Sequence, residues 1–258
     1  MKLIFATMCL ALTAAAQSGF DVASIKPSDP AAGGNMQIGV LPGGVFTATN
    51  ATLKALMQQA YDVRDFQITG GPGWLDTERY DIVAKGGGPA VSEDDLRNMT
   101  DGQRNQFKEQ LQLNVRALLA DRFQLKVHRE TKELPVYVLA TAKNGASIRK
   151  TNDDDVTRSG LSIRRGEDGK AEMTGIRLPL ASLAKSLSDR VGRTVIDQTG
   201  LQGNYDFKMT FAPDLAPAAV DGPSLFTALQ EQLGLRLDAQ KGPVEVVAID
   251  SVQKASEN

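Results

Sequence analysis

Internal repetition is the feature that most constrains what this chain can fold into. Residues 46–57 (FTATNATLKALM) and residues 173–184 (MTGIRLPLASLA) each read as a strand-like run followed by a helix start. Leu53, Leu56, Met57 and Ala60 fall at helical spacing, as do Leu180, Leu183, Ala184 and Leu187. Pro179 suits the first turn of the second helix, where its missing N–H costs nothing. Downstream, WLDTERYDIVAK (74–85) parallels GLQGNYDFKMTF (200–211), with Tyr80-Asp81-Ile82 set against Tyr205-Asp206-Phe207. A third match follows in the same order, residues 118–143 against 229–254, where Pro-Val-Tyr-Val-Leu-Ala answers Pro-Val-Glu-Val-Val-Ala.

Each copy therefore reads strand, helix, strand, strand, helix, strand, strand. In the first copy a second helix starts near Thr100, which stands at capping-box spacing from Gln103 and leads into a stripe of Phe107, Leu111, Val115 and Leu118. In the second copy the corresponding helix follows Pro223-Ser224 and carries Leu225, Leu229 and Leu233 on one face. Helices this amphipathic must cover a sheet. The expected fold is α+β: two tandem related units, residues 20–145 and 161–254, with helices packed on small mixed sheets. A polar linker, 146–160, contains Asp153-Asp154-Asp155. The first unit has extra N-terminal strands, Phe20 to Ile25 and a hairpin turning at Pro42-Gly43-Gly44.

The chain opens with Lys2, an apolar run from Leu3 to Ala16 and the small-residue ending Ala14-Ala15-Ala16. This is the pattern of a signal peptide spanning residues 1–16, too short for a membrane span of about 20 residues. The expectation is an exported protein, periplasmic or extracellular, with no stable membrane insertion after cleavage. Cys9, the only cysteine, lies inside that segment, so the mature chain has no disulfide support. Cleavage would also remove Lys2, leaving 28 basic against 31 acidic residues. A balance of −3 with scattered Lys and Arg lacks the electrostatic footprint of a nucleic-acid binder.

Chemistry-bearing residues are few. His128 is the only histidine; strand alternation from Phe123, Leu125 and Val127 places it on the wetter face, as a general base or as an exposed strand-end residue. One histidine and no mature cysteine leave zinc without its usual ligands, and Asp153-Asp154-Asp155 lacks the alternation of a calcium loop. No metal and no cofactor is expected, and no catalytic residue is assigned: nucleophile-elbow, phosphate-loop and dinucleotide motifs are all missing. The binding candidates are Trp74, Tyr80, Asp81, Tyr205, Asp206 and His128. Trp74, the sole tryptophan, follows the Gly70-Gly71-Pro72-Gly73 turn as either a ligand platform or a core plug. Asp81 and Asp206, related by the repeat, are either paired carboxylates for hydrolysis or hydrogen-bond acceptors at strand ends.

Four segments carry a family resemblance: FDVASIKPSDP, GGPGWLDTERYDIVAK, LLADRFQLKVHRETKELPVYVLATAKNG, and the tail from TVIDQTGLQGNYDF through SLFTALQEQLGLRLDAQKGPVEVVAIDSV. Together they resemble the uncharacterised Solibacter-type secreted family, a domain of unknown function expanded in soil Acidobacteria. The resemblance implies bacterial export and, in some relatives, linkage to a membrane metallopeptidase domain, which this chain lacks. The second half is loosely similar to the short N-terminal domain of secretins and TonB receptors, small periplasmic α+β modules that bind partner proteins. The favoured expectation is a non-catalytic binding or protein-interaction module of the cell envelope. Its partner would be another envelope protein or a membrane peptidase, docking on the tail strand Val244–Val252 as a free edge. The alternative is a secreted hydrolase acting on a polymer through carboxylates between the two units.

Overall fold

The computed structural model describes residues 19–29, 33–87, 91–151, 159–213 and 220–255. The expected signal peptide, Cys9 and Asp153-Asp154-Asp155 lie outside the described residues. The chain forms two compact units, and the fold is α+β, as the periodicity indicates. Unit 1 takes the residues up to Glu130 together with those from Val246 onward; unit 2 is Thr131–Glu245.

In unit 1, strands β1 (Val22–Pro27), β2 (Gln37–Leu41), β3 (Val45–Thr52) and β5 (Arg79–Lys85) form an antiparallel sheet in the order β1-β5-β3-β2. Alternation along β5 buries Tyr80, Ile82 and Ala84 and turns the intervening residues outward. Helix α1 (Leu53–Tyr61) starts directly off β3, where the Thr52 hydroxyl accepts from the Ala55 N–H; Leu53, Leu56, Met57 and Ala60 are its buried face. After a 3₁₀ turn (Asp65–Gln67) come the short β4 (Ile68–Thr69) and the single-turn α2 (Trp74–Thr77). Beyond β5, α3 (Glu93–Asn98) precedes the 22-residue α4 (Asp101–Arg122). The expected capping box is present: Thr100 Oγ1 accepts from the Gln103 N–H, and Gln103 Oε1 accepts from the Thr100 N–H. Val115, Leu118, Leu119 and Phe123 complete the core around Phe46 and Leu56.

Unit 2 follows the same plan. β7 (Arg149–Lys150), β8 (Gly160–Arg165), β9 (Ala171–Pro179) and β11 (Asn204–Phe211) form an antiparallel sheet in the order β7-β11-β9-β8. Helix α5 (Leu180–Val191) leaves β9 with Pro179 as its cap residue, and α6 (Leu225–Leu233) starts at Ser224, whose hydroxyl accepts from the Thr227 N–H. The core gathers Met173, Leu183, Leu187, Phe207 and Leu229.

The sheet plans agree even at an irregularity. In unit 1 the β3–β5 register shifts between Ala48 and Ala51, and Asn50 takes a φ of 53°. In unit 2 the β9–β11 register shifts between Tyr205 and Phe207, and Arg177 takes a φ of 47°. Each is a bulge whose odd residue sits in the left-handed region.

The unit boundaries differ from the tandem division at 145 and 161. The reason lies in two long strands, β6 (Lys126–Thr141) and β12 (Leu235–Ser251), each with residues in both units. Leu139, expected in the first unit, is fully buried in the core of the second; Val247, expected in the second, is fully buried in the core of the first. In unit 1, β4 pairs in parallel with the end of β12 (Ile68 with Val247). In unit 2, β10 (Val195–Asp197) pairs in parallel with β6 (Val195 with Tyr137). The tail strand is therefore no free edge: β12 is an interior strand in the order β10-β6-β12-β4, with Val244, Val246 and Val247 buried. The edge expectation failed because the repeat shows which strands exist, not which neighbours they take.

Candidate functional site

Each expected site residue has a defined hydrogen-bond or packing partner. Asp81 lies opposite the unit 1 bulge; its Oδ1 accepts from the Asn50 N–H at 2.8 Å and from the Ser28 hydroxyl at 2.7 Å. Asp206 does the same in unit 2. Its Oδ1 accepts from the Arg177 N–H at 2.8 Å and from the Thr151 hydroxyl at 3.3 Å, and its Oδ2 pairs with Arg149. The Arg177 N–H, then the Arg149 guanidinium, hold the Asp206 carboxyl below its ordinary value. Each carboxylate thus ties the left-handed residue of a bulge to the end of an edge strand. Of the two roles the spacing left open, the geometry matches the acceptor.

Tyr80 and Tyr205 bury their rings in their own cores. Tyr80 packs edge-on to Phe123 and donates to Glu78, while Tyr205 donates to the Gln202 carbonyl. Burial and the Glu78 acceptor push the Tyr80 phenol up to about 12. Trp74 is half-buried, packed against the unit 1 core, with the Lys254 ammonium 5.9 Å from its ring centre. His128 is about half exposed, and its Nδ1 faces Asp250 Oδ1 at 2.8 Å. Among the described residues no hydroxyl hydrogen-bonds to His128, and no three His, Cys, Asp or Glu side chains gather to hold a metal. No helix among them is long and apolar enough to cross a membrane.

Two of the concavities of unit 1 have volumes within the range of small-molecule sites and contrasting linings. One, of about 720 Å³, is walled by Ser28, Asn50, Glu78, Arg79, Tyr80 and Lys254. Its polar groups already satisfy one another: Lys254 pairs with Glu78, Tyr80 donates to Glu78, and Arg79 donates to the Asn50 carbonyl. A ligand there must break these bonds before making its own.

The other, of about 500 Å³, is built differently. Gln103, Gln106, Phe107, Gln110, Leu111 and Asn114 lie along one face of α4, at spacings of three and four residues, and form one wall. Phe20, Val40, Val91 and Met99 supply apolar surface around it. Its volume lies within the range of ligand pockets, as does its mix of apolar wall and few polar groups. The base is organised by Asn114, which is 4% exposed. Asn114 Oδ1 accepts from the Gly19 N–H at 3.2 Å and from Gln110 Nε2 at 3.0 Å, and its Nδ2 donates to the Gly87 carbonyl at 2.8 Å. Gly87 has a φ of 80°, and a Cβ there would collide with the Gly19 carbonyl and sit 2.6 Å from Asn114 Nδ2. One buried amide thus pins two loops that border the cavity.

The repeat pattern passes over this cavity because the cavity lies where the units differ. α6 has nine residues against the 22 of α4, and its buried Leu225, Leu229 and Leu233 answer Val115, Leu119 and Phe123. Residues 101–114, which carry the wall, have no counterpart in α6. The available signal was a row of side-chain amides, Gln103, Gln106, Gln110 and Asn114, on the same helix face as Phe107 and Leu111.

Neither a curated protein nor a solved structure matches the chain. One family model does, over residues 54–252, from the first turn of α1 to just past β12 and so through both units. The chain belongs to the family described as "Protein of unknown function (DUF3738)".

Proposed function

We propose that this protein is an exported, non-catalytic binding module of the bacterial cell envelope, and that its ligand site is the apolar cavity of unit 1. The observation that carries the reading is a concavity of about 500 Å³ with aromatic and aliphatic walls, seated on a buried asparagine whose Oδ1 and Nδ2 are both hydrogen-bonded. Pre-ordered apolar walls favour binding because little side-chain entropy is lost when a ligand enters. The segment 1–16, with its basic start and small-residue ending, supports export. The similarity of the second half to the secretin and TonB-receptor short domain supports a partner-binding role in the envelope, with an envelope protein or a membrane peptidase as partner. The shared sheet order and the two carboxylate-held bulges support the duplication of one ancestral unit. Hydrolysis through Asp81 and Asp206 has less to stand on, since both carboxylates are engaged by backbone N–H and hydroxyl donors.

The test is saturable binding of the neutral fluorophore N-phenyl-1-naphthylamine to the folded protein. The reading expects one site per chain, weakened by about tenfold or more in Phe107→Asp and unchanged in Asp81→Asn and Asp206→Asn. A hydrolytic activity on polysaccharide or peptide panels that is lost in either asparagine variant would overturn it.

A further inference from the structure

From the lining of the same cavity we infer its ligand class: a small apolar molecule without negative charge, carrying a hydroxyl, carbonyl or amide group at its polar end. The inference rests on the binding reading above and adds the charge and chemistry of what is bound. Among the described lining residues there is no lysine or arginine. The charged side chain there is Asp95, which also serves as the capping-box acceptor for the Ser92 N–H and hydroxyl. An anion entering would meet that exposed carboxylate with no cation in the described lining to offset it.

The polar complement is made of neutral amides. Gln106 and Asn98 have no side-chain hydrogen-bond partner among the described residues, and each presents both a carbonyl oxygen and an NH₂. Such groups match a ligand that donates and accepts without net charge. Gln106 adjoins Phe107 in sequence, so one turn of α4 offers both the amide and the aromatic surface. An apolar body against Phe107, Leu111 and Met99, with its polar end at the Gln106 amide, uses every kind of group the cavity provides.

The experiment compares two fluorophores that share one apolar body and differ by a sulfonate: N-phenyl-1-naphthylamine and 1-anilinonaphthalene-8-sulfonate. Both are titrated against the full chain and against Gln106→Lys, a substitution at an exposed position that leaves the fold intact. The neutral probe should bind at least about tenfold more tightly than the sulfonate, and Gln106→Lys should narrow that gap by strengthening sulfonate binding. If the sulfonate binds the unsubstituted protein as well as the neutral probe does, the ligand class is wrong and the cavity remains a binding site. If Gln106→Lys leaves the ratio of the two affinities unchanged, the ligand class is also overturned, because the probes then lie away from that amide. If neither probe binds, the binding reading itself fails, and the inference with it.

Discussion

Asn50 and Arg177 hold φ values of 53° and 47°, a backbone region that costs a residue with a Cβ about 1–2 kcal/mol. Each is held there by a carboxylate that accepts its N–H at 2.8 Å. Asp206→Ala should therefore lower unfolding stability by about 1–2 kcal/mol in urea titrations, with Arg149→Ala costing much less because that guanidinium is exposed. The pH dependence has a definite sign. A folded-state carboxyl held below its ordinary 3.8 contributes stability that is present above 3.8 and is lost as pH falls through the lower folded value. The stability gap between wild type and Asp206→Asn should thus be full near neutral pH and close in strong acid. A gap that is constant with pH would contradict the assignment. Tyr80 works in the opposite direction, since a phenol raised from 10.0 to about 12 stabilises the fold below 10.0 and loses that contribution as pH rises through about 12. Phenolate absorbance in Tyr80→Phe should lack the highest-titrating step of the wild-type curve.

The local elements show where sequence reasoning succeeds. The helix faces at Leu53–Ala60 and Leu180–Leu187, the helix start after Pro223-Ser224 and the capping box at Thr100 are all legible, because periodicity and capping act over a few residues. Thr100→Ala should destabilise the protein by about 1 kcal/mol and raise amide exchange in the first turns of α4, which also carry the cavity wall. Gly175 was not legible: it lies within β9 opposite Phe207, whose ring occupies the place a Cβ would take. Gly175→Ala should cost about 1–3 kcal/mol through overpacking, seen as a lowered melting temperature. The cavity was half legible. Periodicity places Phe107 and Leu111 on the apolar stripe; both are only half-buried, Leu111 packs against the core, and both line the cavity. The rest of the lining depends on Phe20 and Val40, which are distant from α4 in sequence.

Across the whole molecule, the compact units and the tandem segments divide the chain differently for one physical reason. Similarity between two segments reports shared local structure, whereas unit membership is decided by which core a strand's side chains enter. Val247 enters the first core although the segment similarity groups it with the second half, and β12 pairs there with β4. A chain ending at Glu245 should therefore lose the cooperative unfolding transition of unit 1; if unit 1 unfolded normally without residues 246–258, its core would not need Val247.

The claim on which the account turns is that the unit 1 cavity holds a ligand, and the most direct measurement is a map of backbone amide shifts as N-phenyl-1-naphthylamine is added to isotope-labelled protein. Ligand in the cavity would give shifts that saturate together and cluster at Val40, Met99, Phe107, Leu111 and Asn114. Saturating shifts centred instead on Ser28, Glu78 and Lys254, or no shifts at all, would contradict it.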